Sequence, residues 1–88
     1  MKQYHINVSG RVQGVGFRYF TLSTAKNLDI KGWVRNLANG EVEIIATGTD
    51  GALNQFLSEI RTGPKYSKVD KVEIQTQTVR EYNTFSIR

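Results

Sequence analysis

Eighty-eight residues suffice for one domain with one modest apolar core. The absence of cysteine excludes disulfides, thiolate metal centres and cysteine nucleophiles. The net charge of +4 is unevenly spread: residues 1–36 carry six basic groups against Asp29 alone, whereas residues 37–88 carry six against seven acidic ones. A positive field around the N-terminal part would raise the local concentration of small anions there.

In chain order, Tyr4, Ile6 and Val8 alternate with His5, Asn7 and Ser9, which predicts a strand with one buried face. This start has no apolar block of the kind that a signal peptide or membrane span needs, so a cytoplasmic protein with no membrane partner is expected. Ser9 to Arg18 follows, with glycines at 10, 14 and 16, arginines at 11 and 18 and no acidic residue. Backbone N–H groups that converge in a glycine-bearing turn ahead of a helix form a concave surface of donors suited to an anion. Arg18, at the helix entrance, can grip a phosphate through two parallel hydrogen bonds. Many strand-to-helix turns contain glycine only because the backbone needs φ > 0. Two nucleotide motifs are excluded. No Gly-Lys-Ser/Thr follows, as a Walker A loop requires, and Tyr19 stands where a dinucleotide fingerprint has its third glycine. The stretch reads as a small-anion site.

Phe17, Phe20, Thr21, Ala25 and Leu28 recur at helical spacing, so a helix is predicted over residues 18–28. It ends at Asp29, a residue type that tolerates the left-handed conformation. Residues 31–37 and 41–48 read as strands joined at Asn39-Gly40, a pair that favours a type I′ turn with φ > 0 at both centres. Val42, Ile44 and Ala46 should face the core, with Glu41 and Glu43 on a solvated face. Trp33 should point away from the Val34 side and be partly buried, while Arg11, Arg35, Lys65, Lys68 and Lys71 are expected in solvent. Asn36 has two readings. It introduces the turn at 37–40, or, paired with a phosphate cradle, it holds a water by its oxygen while its NH₂ steadies a phosphate oxygen.

Thr49 or Asp50 can cap a second helix, in which Leu53, Phe56, Leu57 and Ile60 form an apolar stripe. Gly63-Pro64 ends it and opens a loop through Ser67. Val72 and Ile74 belong to a fourth strand, and Phe85 and Ile87 to a short C-terminal segment that can pair at an edge as a fifth. The order βαββαβ gives an α+β, ferredoxin-like sandwich: a four-stranded antiparallel sheet with two helices on one face and solvent on the other. This fold hosts unrelated functions. RNA-recognition domains share it, but their stacking aromatics lie on a central strand. Here the similar run from Gly14 to Phe20 falls on a loop and helix start, and residues 41–48 carry two glutamates and no aromatic. No nucleic-acid partner is expected. A non-catalytic phosphate sensor is the other alternative, and it leaves Asn36 without a task.

The sequence Gly10-x-Val12-Gln13-Gly14-Val15-x-Phe17-Arg18, followed by Gly32-Trp33-Val34-x-Asn36 and Gly40-x-Val42, resembles the acylphosphatases. These are small ferredoxin-like enzymes that hydrolyse the carboxyl–phosphate bond. The likeness continues through Gly63-Pro64 and Phe85-x-Ile87, so it spans one acylphosphatase-like domain over residues 1–88. It implies that Val12, Gln13, Gly14, Val15, Gly16, Phe17 and Arg18 bind phosphate through backbone N–H groups, with Arg18 adding its guanidinium. It also implies that Asn36 orients the attacking water. Two departures, Asp29 in place of a frequent glycine and Leu37-Ala38-Asn39-Gly40 in place of a turn that often contains Pro-Asp, lie outside the site.

The chemistry agrees with so sparse a set. An acyl phosphate is a mixed anhydride whose leaving carboxylate has a conjugate-acid pKa of about 4, so no general acid is needed at neutral pH. The transition state is loose, and catalysis rests on positioning and charge stabilisation. His5, the only histidine, lies among polar strand neighbours and is expected to be structural. No two of His5, Glu41, Glu43, Asp50, Asp70 and Glu73 form a ligand motif. The expectation is a metal- and cofactor-independent acylphosphatase that takes a small acyl phosphate. Inorganic phosphate should be its product and inhibitor. With no surplus apolar face in view, a monomer is expected.

Overall fold

The computed structural model describes residues 1–88. Strands β1 (Lys2–Arg11), β2 (Lys31–Asn36), β3 (Val42–Gly48), β4 (Lys68–Gln77) and β5 (Phe85–Ile87) form one sheet in the order β4-β1-β3-β2-β5. Helix α1 (Phe17–Asn27) joins β1 to β2, and α2 (Asp50–Thr62) joins β3 to β4. The first four strands pair antiparallel, as the split βαβ order requires. The C-terminal segment does form a fifth strand, which pairs in parallel with β2, Gly32 opposite Phe85 and Val34 opposite Ile87. The sheet is therefore mixed.

The core lies between the helices and one sheet face. Ile6 stands opposite Ile44 and Val8 opposite Val42, and all four are fully buried. Helix α2 adds Leu53, Phe56, Leu57 and Ile60 from one stripe, each burial contributing roughly 1.5–3 kcal/mol. Thr49 caps that helix, its Oγ1 accepting the Ala52 N–H at 3.2 Å. Helix α1 is less apolar and buries Thr21 and Thr24 beside Phe17 and Ala25. Their hydroxyls donate to the Phe17 and Phe20 carbonyls one turn back, both at 2.8 Å, so burial leaves neither unpaired. After α1 the chain turns through Asp29 at φ 55°.

Two expectations are corrected. The β2–β3 connection is not a type I′ turn, because Gly40 (φ 93°) is its only positive-φ residue. The Gly40 N–H instead donates to the Leu37 carbonyl at 3.2 Å, and the Glu41 N–H to Asn39 Oδ1 at 3.0 Å. The Asn side chain thus bonds the local backbone and relieves Asn39 of the left-handed conformation. Nor is Glu43 on a solvated face. Register sets Glu43 opposite both Asn7 and Arg35, and its carboxylate accepts from His5 Nε2 at 2.7 Å and from Arg35 Nε. Burial alone would push this carboxyl up, but the hydrogen bonds and charges of His5 and Arg35 prevail and hold it below its ordinary value.

The helix-free face as a whole is covered more than expected. Gln3, Trp33, Ile45 and Thr47 are buried there. The stretch 78–84 links β4 at one edge to β5 at the other, and the Arg80 N–H donates to Gln3 Oε1 at 2.8 Å. Gln3 Oε1 also accepts from Thr47 Oγ1 at 3.0 Å, while its Nε2 donates to Gln77 Oε1 at 3.0 Å. The Trp33 ring lies 5.1 Å from the Arg35 guanidinium and 4.6 Å from that of Arg88.

Candidate active site

Strand β1 changes register against β4 between Ser9 and Gly10. Gly10 has φ 124°, and a Cβ there would lie 2.1 Å from the Lys68 carbonyl oxygen, so only glycine fits this irregularity. The chain then leaves the sheet and enters α1 between two buried anchors, Val12 and Phe17. Gly14 (φ 72°) and Gly16 (φ 78°) are left-handed, and nothing lies within 4 Å of a Cβ at either. Glycine is required there for conformation and not for room.

This backbone course leaves a run of free donors. None of the N–H groups from Gln13 to Tyr19 donates to a backbone carbonyl, and Gly16, the N-cap residue, has no side chain to cap α1. The partial positive charge of the helix N-terminus adds to them.

The donors border a cavity of about 200 Å³ lined by Val12, Gly14, Gly16, Phe17, Arg18, Tyr19 and Asn36. Arg18 is half-buried and makes none of the chain's five ion pairs. Asn36 arrives from the end of β2, which β3 separates from β1. Its Oδ1 is the only buried side-chain nitrogen or oxygen of the chain with no hydrogen-bond partner. Such an orphan costs roughly 1–3 kcal/mol, and its persistence points to a partner outside the protein. Arg18, Asn36 and residues that carry free N–H groups border one small space. No carboxylate or imidazole lines it, so it can hold an anion and, beside it, a hydrogen-bond donor such as water.

Of the residues predicted for the site, Val12, Gly14, Gly16, Phe17, Arg18 and Asn36 line this one cavity. Gln13 and Val15 do not. The Gln13 side chain reaches the β2–β3 connection, and Val15 packs against the core. Tyr19 was not among the predicted site residues, yet its largely exposed ring forms part of the cavity wall. An aromatic residue beside Arg18 in the first turn of the helix was the available signal. His5 lies elsewhere, bonded to Glu43. No group of three His, Asp or Glu residues is placed to hold a metal ion, and no helix is long and apolar enough to cross a membrane.

The chain is similar to known proteins over nearly its whole length. The acylphosphatase family model matches residues 4–87. The chain is 46% identical over 88 residues to the acylphosphatase of Thermotoga maritima, covering 100% of this chain and 98% of that one. It is 46% identical over 82 residues to the acylphosphatase of Archaeoglobus fulgidus, covering 93% and 92% respectively. The crystal structure of acylphosphatase from Bacillus subtilis superposes with a TM-score of 0.98 at 42% identity, over 100% of this chain and 99% of that one.

Proposed function

Because this chain belongs to the acylphosphatase family and hydrolyses acyl phosphates, we propose that the β1–α1 loop, Arg18 and Asn36 perform the reaction as one unit. The phosphoryl group of the substrate sits on the free N–H groups between Val12 and Arg18, and the Arg18 guanidinium donates two further hydrogen bonds to it. Asn36 Oδ1 accepts a hydrogen bond from a water, and its NH₂ steadies a phosphate oxygen. The water oxygen attacks phosphorus in line. As the new P–O bond forms, the bond from phosphorus to the acyl oxygen breaks, and its electron pair leaves on the carboxylate. The water's proton passes to a phosphate oxygen of the substrate, so no protein base is required. The N–H groups and guanidinium stabilise charge on the peripheral oxygens without reorganising.

The observation that carries this reading is that Asn36, whose buried Oδ1 has no partner in the protein, lines the same cavity as Arg18. In the same reading the chain acts as one domain over residues 1–88, a cytoplasmic monomer that needs no metal and is competitively inhibited by inorganic phosphate. The test is hydrolysis of benzoyl phosphate without added metal by wild type and Asn36→Ala. The variant should keep its fold by circular dichroism and lose only the part of its phosphate affinity that the single Asn36 NH₂ bond supplies, about tenfold, while kcat falls by about 10²–10³. A folded Asn36→Ala protein with wild-type kcat would remove Asn36 from the mechanism.

A further inference from the structure

We propose, resting on that role for Asn36, that Gln13 is a positioning residue which fixes the water-holding amide relative to the phosphate cradle. The cradle follows β1 and Asn36 ends β2, and these two strands are not neighbours in the sheet. Asn36 Oδ1 has no protein partner, so nothing bonded to that oxygen holds it in place. Its position depends on the backbone at the end of β2, where the chain departs into the 37–41 connection. That connection is closed on itself by the Leu37 N–H, which donates to the Glu41 carbonyl at 2.8 Å.

Gln13 bridges the gap. Its Nε2 donates to the Leu37 carbonyl and to the Glu41 carbonyl, both at 2.8 Å. Both protons of one primary amide are thereby used, one on each side of the neck of the connection. Leu37 is the peptide neighbour of Asn36, so the brace acts one residue from the group it holds. The cradle itself has other anchors, Val12 and Phe17, both buried. Loss of the Gln13 side chain should therefore leave the donors in place and free the Asn36 end. In-line attack is sensitive to this, because misplacement by about 1 Å can cost 10²-fold in rate.

The experiment is a double-mutant cycle in the full chain, with kcat and KM for benzoyl phosphate and the Kd of inorganic phosphate measured throughout. Gln13→Met, similar in length but without donors, should lower kcat by roughly 10- to 100-fold. KM and the phosphate Kd should change by less than about threefold, because the cradle and Arg18 remain. In the Asn36→Ala background the same substitution should lower kcat by less than about twofold. Gln13→Asn guards against a folding defect in the Met variant. Its amide is one methylene short, reaches at most one of the two carbonyls, and should give an intermediate kcat.

An equal loss in both backgrounds, or a loss confined to phosphate affinity, would overturn the proposal. So would wild-type kcat in folded Gln13→Met beside a slow Asn36→Ala, and the role of Asn36 would then stand. Wild-type kcat in Asn36→Ala alone would remove both.

Discussion

The β1–α1 loop and the helix-free face of the sheet both gather polar side chains, and they treat them in opposite ways. On the helix-free face Gln3 bonds three partners and Glu43 accepts from two. At the loop, the N–H groups from Gln13 to Tyr19 and Asn36 Oδ1 have none. Size would have chosen the wrong region. The cleft on the helix-free face has a volume of about 650 Å³, against about 200 Å³ at the loop. Unsatisfied donors and acceptors mark where a ligand belongs, and satisfied ones mark where the chain has bonded to itself.

That contrast predicts opposite responses to mutation. The largest effect should come from Arg18→Ala, which removes a charge and two hydrogen bonds from the transition state. Turnover of benzoyl phosphate should fall by more than about 10³-fold, with stability to denaturant within about 0.5 kcal/mol of wild type. Arg18→Lys should fail as well, since an ammonium lacks the planar fork. A large stability loss in either variant would place Arg18 on the structural side of the comparison.

Gln3→Leu is the converse. It strips partners from Thr47, Gln77 and the Arg80 N–H, and chemical denaturation should show a loss of about 2–3 kcal/mol. Turnover per folded molecule should stay near wild type. Smaller still is Glu43→Gln, which should cost about 1–2 kcal/mol at neutral pH. Its sign with pH is fixed. The Glu43 carboxyl is held below its ordinary value of 4.5 in the folded state, so the unfolded chain takes up its proton first. The stabilisation is fully present above that ordinary value and is lost as pH falls through the lowered one. Denaturation midpoints of wild type and variant should therefore converge in acid. The smallest expected effect is that of a metal chelator, none at all on the rate of a protein purified without added metal.

Much of the fold was legible because local patterns agreed with it. Alternation at Tyr4–Ser9, the stripe from Leu53 to Ile60 and the break at Gly63-Pro64 each located an element that is present. The cavity was half legible. Glycines flanking a turn announced the donor surface, but spacing alone favoured Asn36 as the start of a turn. Its amide chemistry offered the water-holding reading as well, and the family resemblance decided between the two. What was hidden depends on register across long stretches of chain. Glu43 looked solvated because its partner His5 lies 38 residues away, and nothing in the run Glu41–Gly48 names that partner. The two carbonyls that receive Gln13 are hidden for the same reason, since a side-chain bond to a backbone oxygen leaves no signature in residue type. The β2–β3 turn departs from type I′ because Asn39 satisfies the backbone with its side chain instead of its φ angle.

The strand order also governs how the molecule can be assembled. Strand β1 is the first to be synthesised, yet it lies inside the sheet, flanked by β3 and β4. Its pairing with β4 cannot begin until residues 68–77 exist, and β2 has no cover on its outer edge until residues 85–87 arrive. A chain still being made must therefore hold two hydrogen-bonding edges unpaired, with Ile6 and Val8 on one of them. Topologies of this kind close slowly, because distant contacts must form before they are rewarded. The same residues that complete the native sheet are, in that interval, a template for another chain. Conditions that slow elongation should thus favour aggregation over folding.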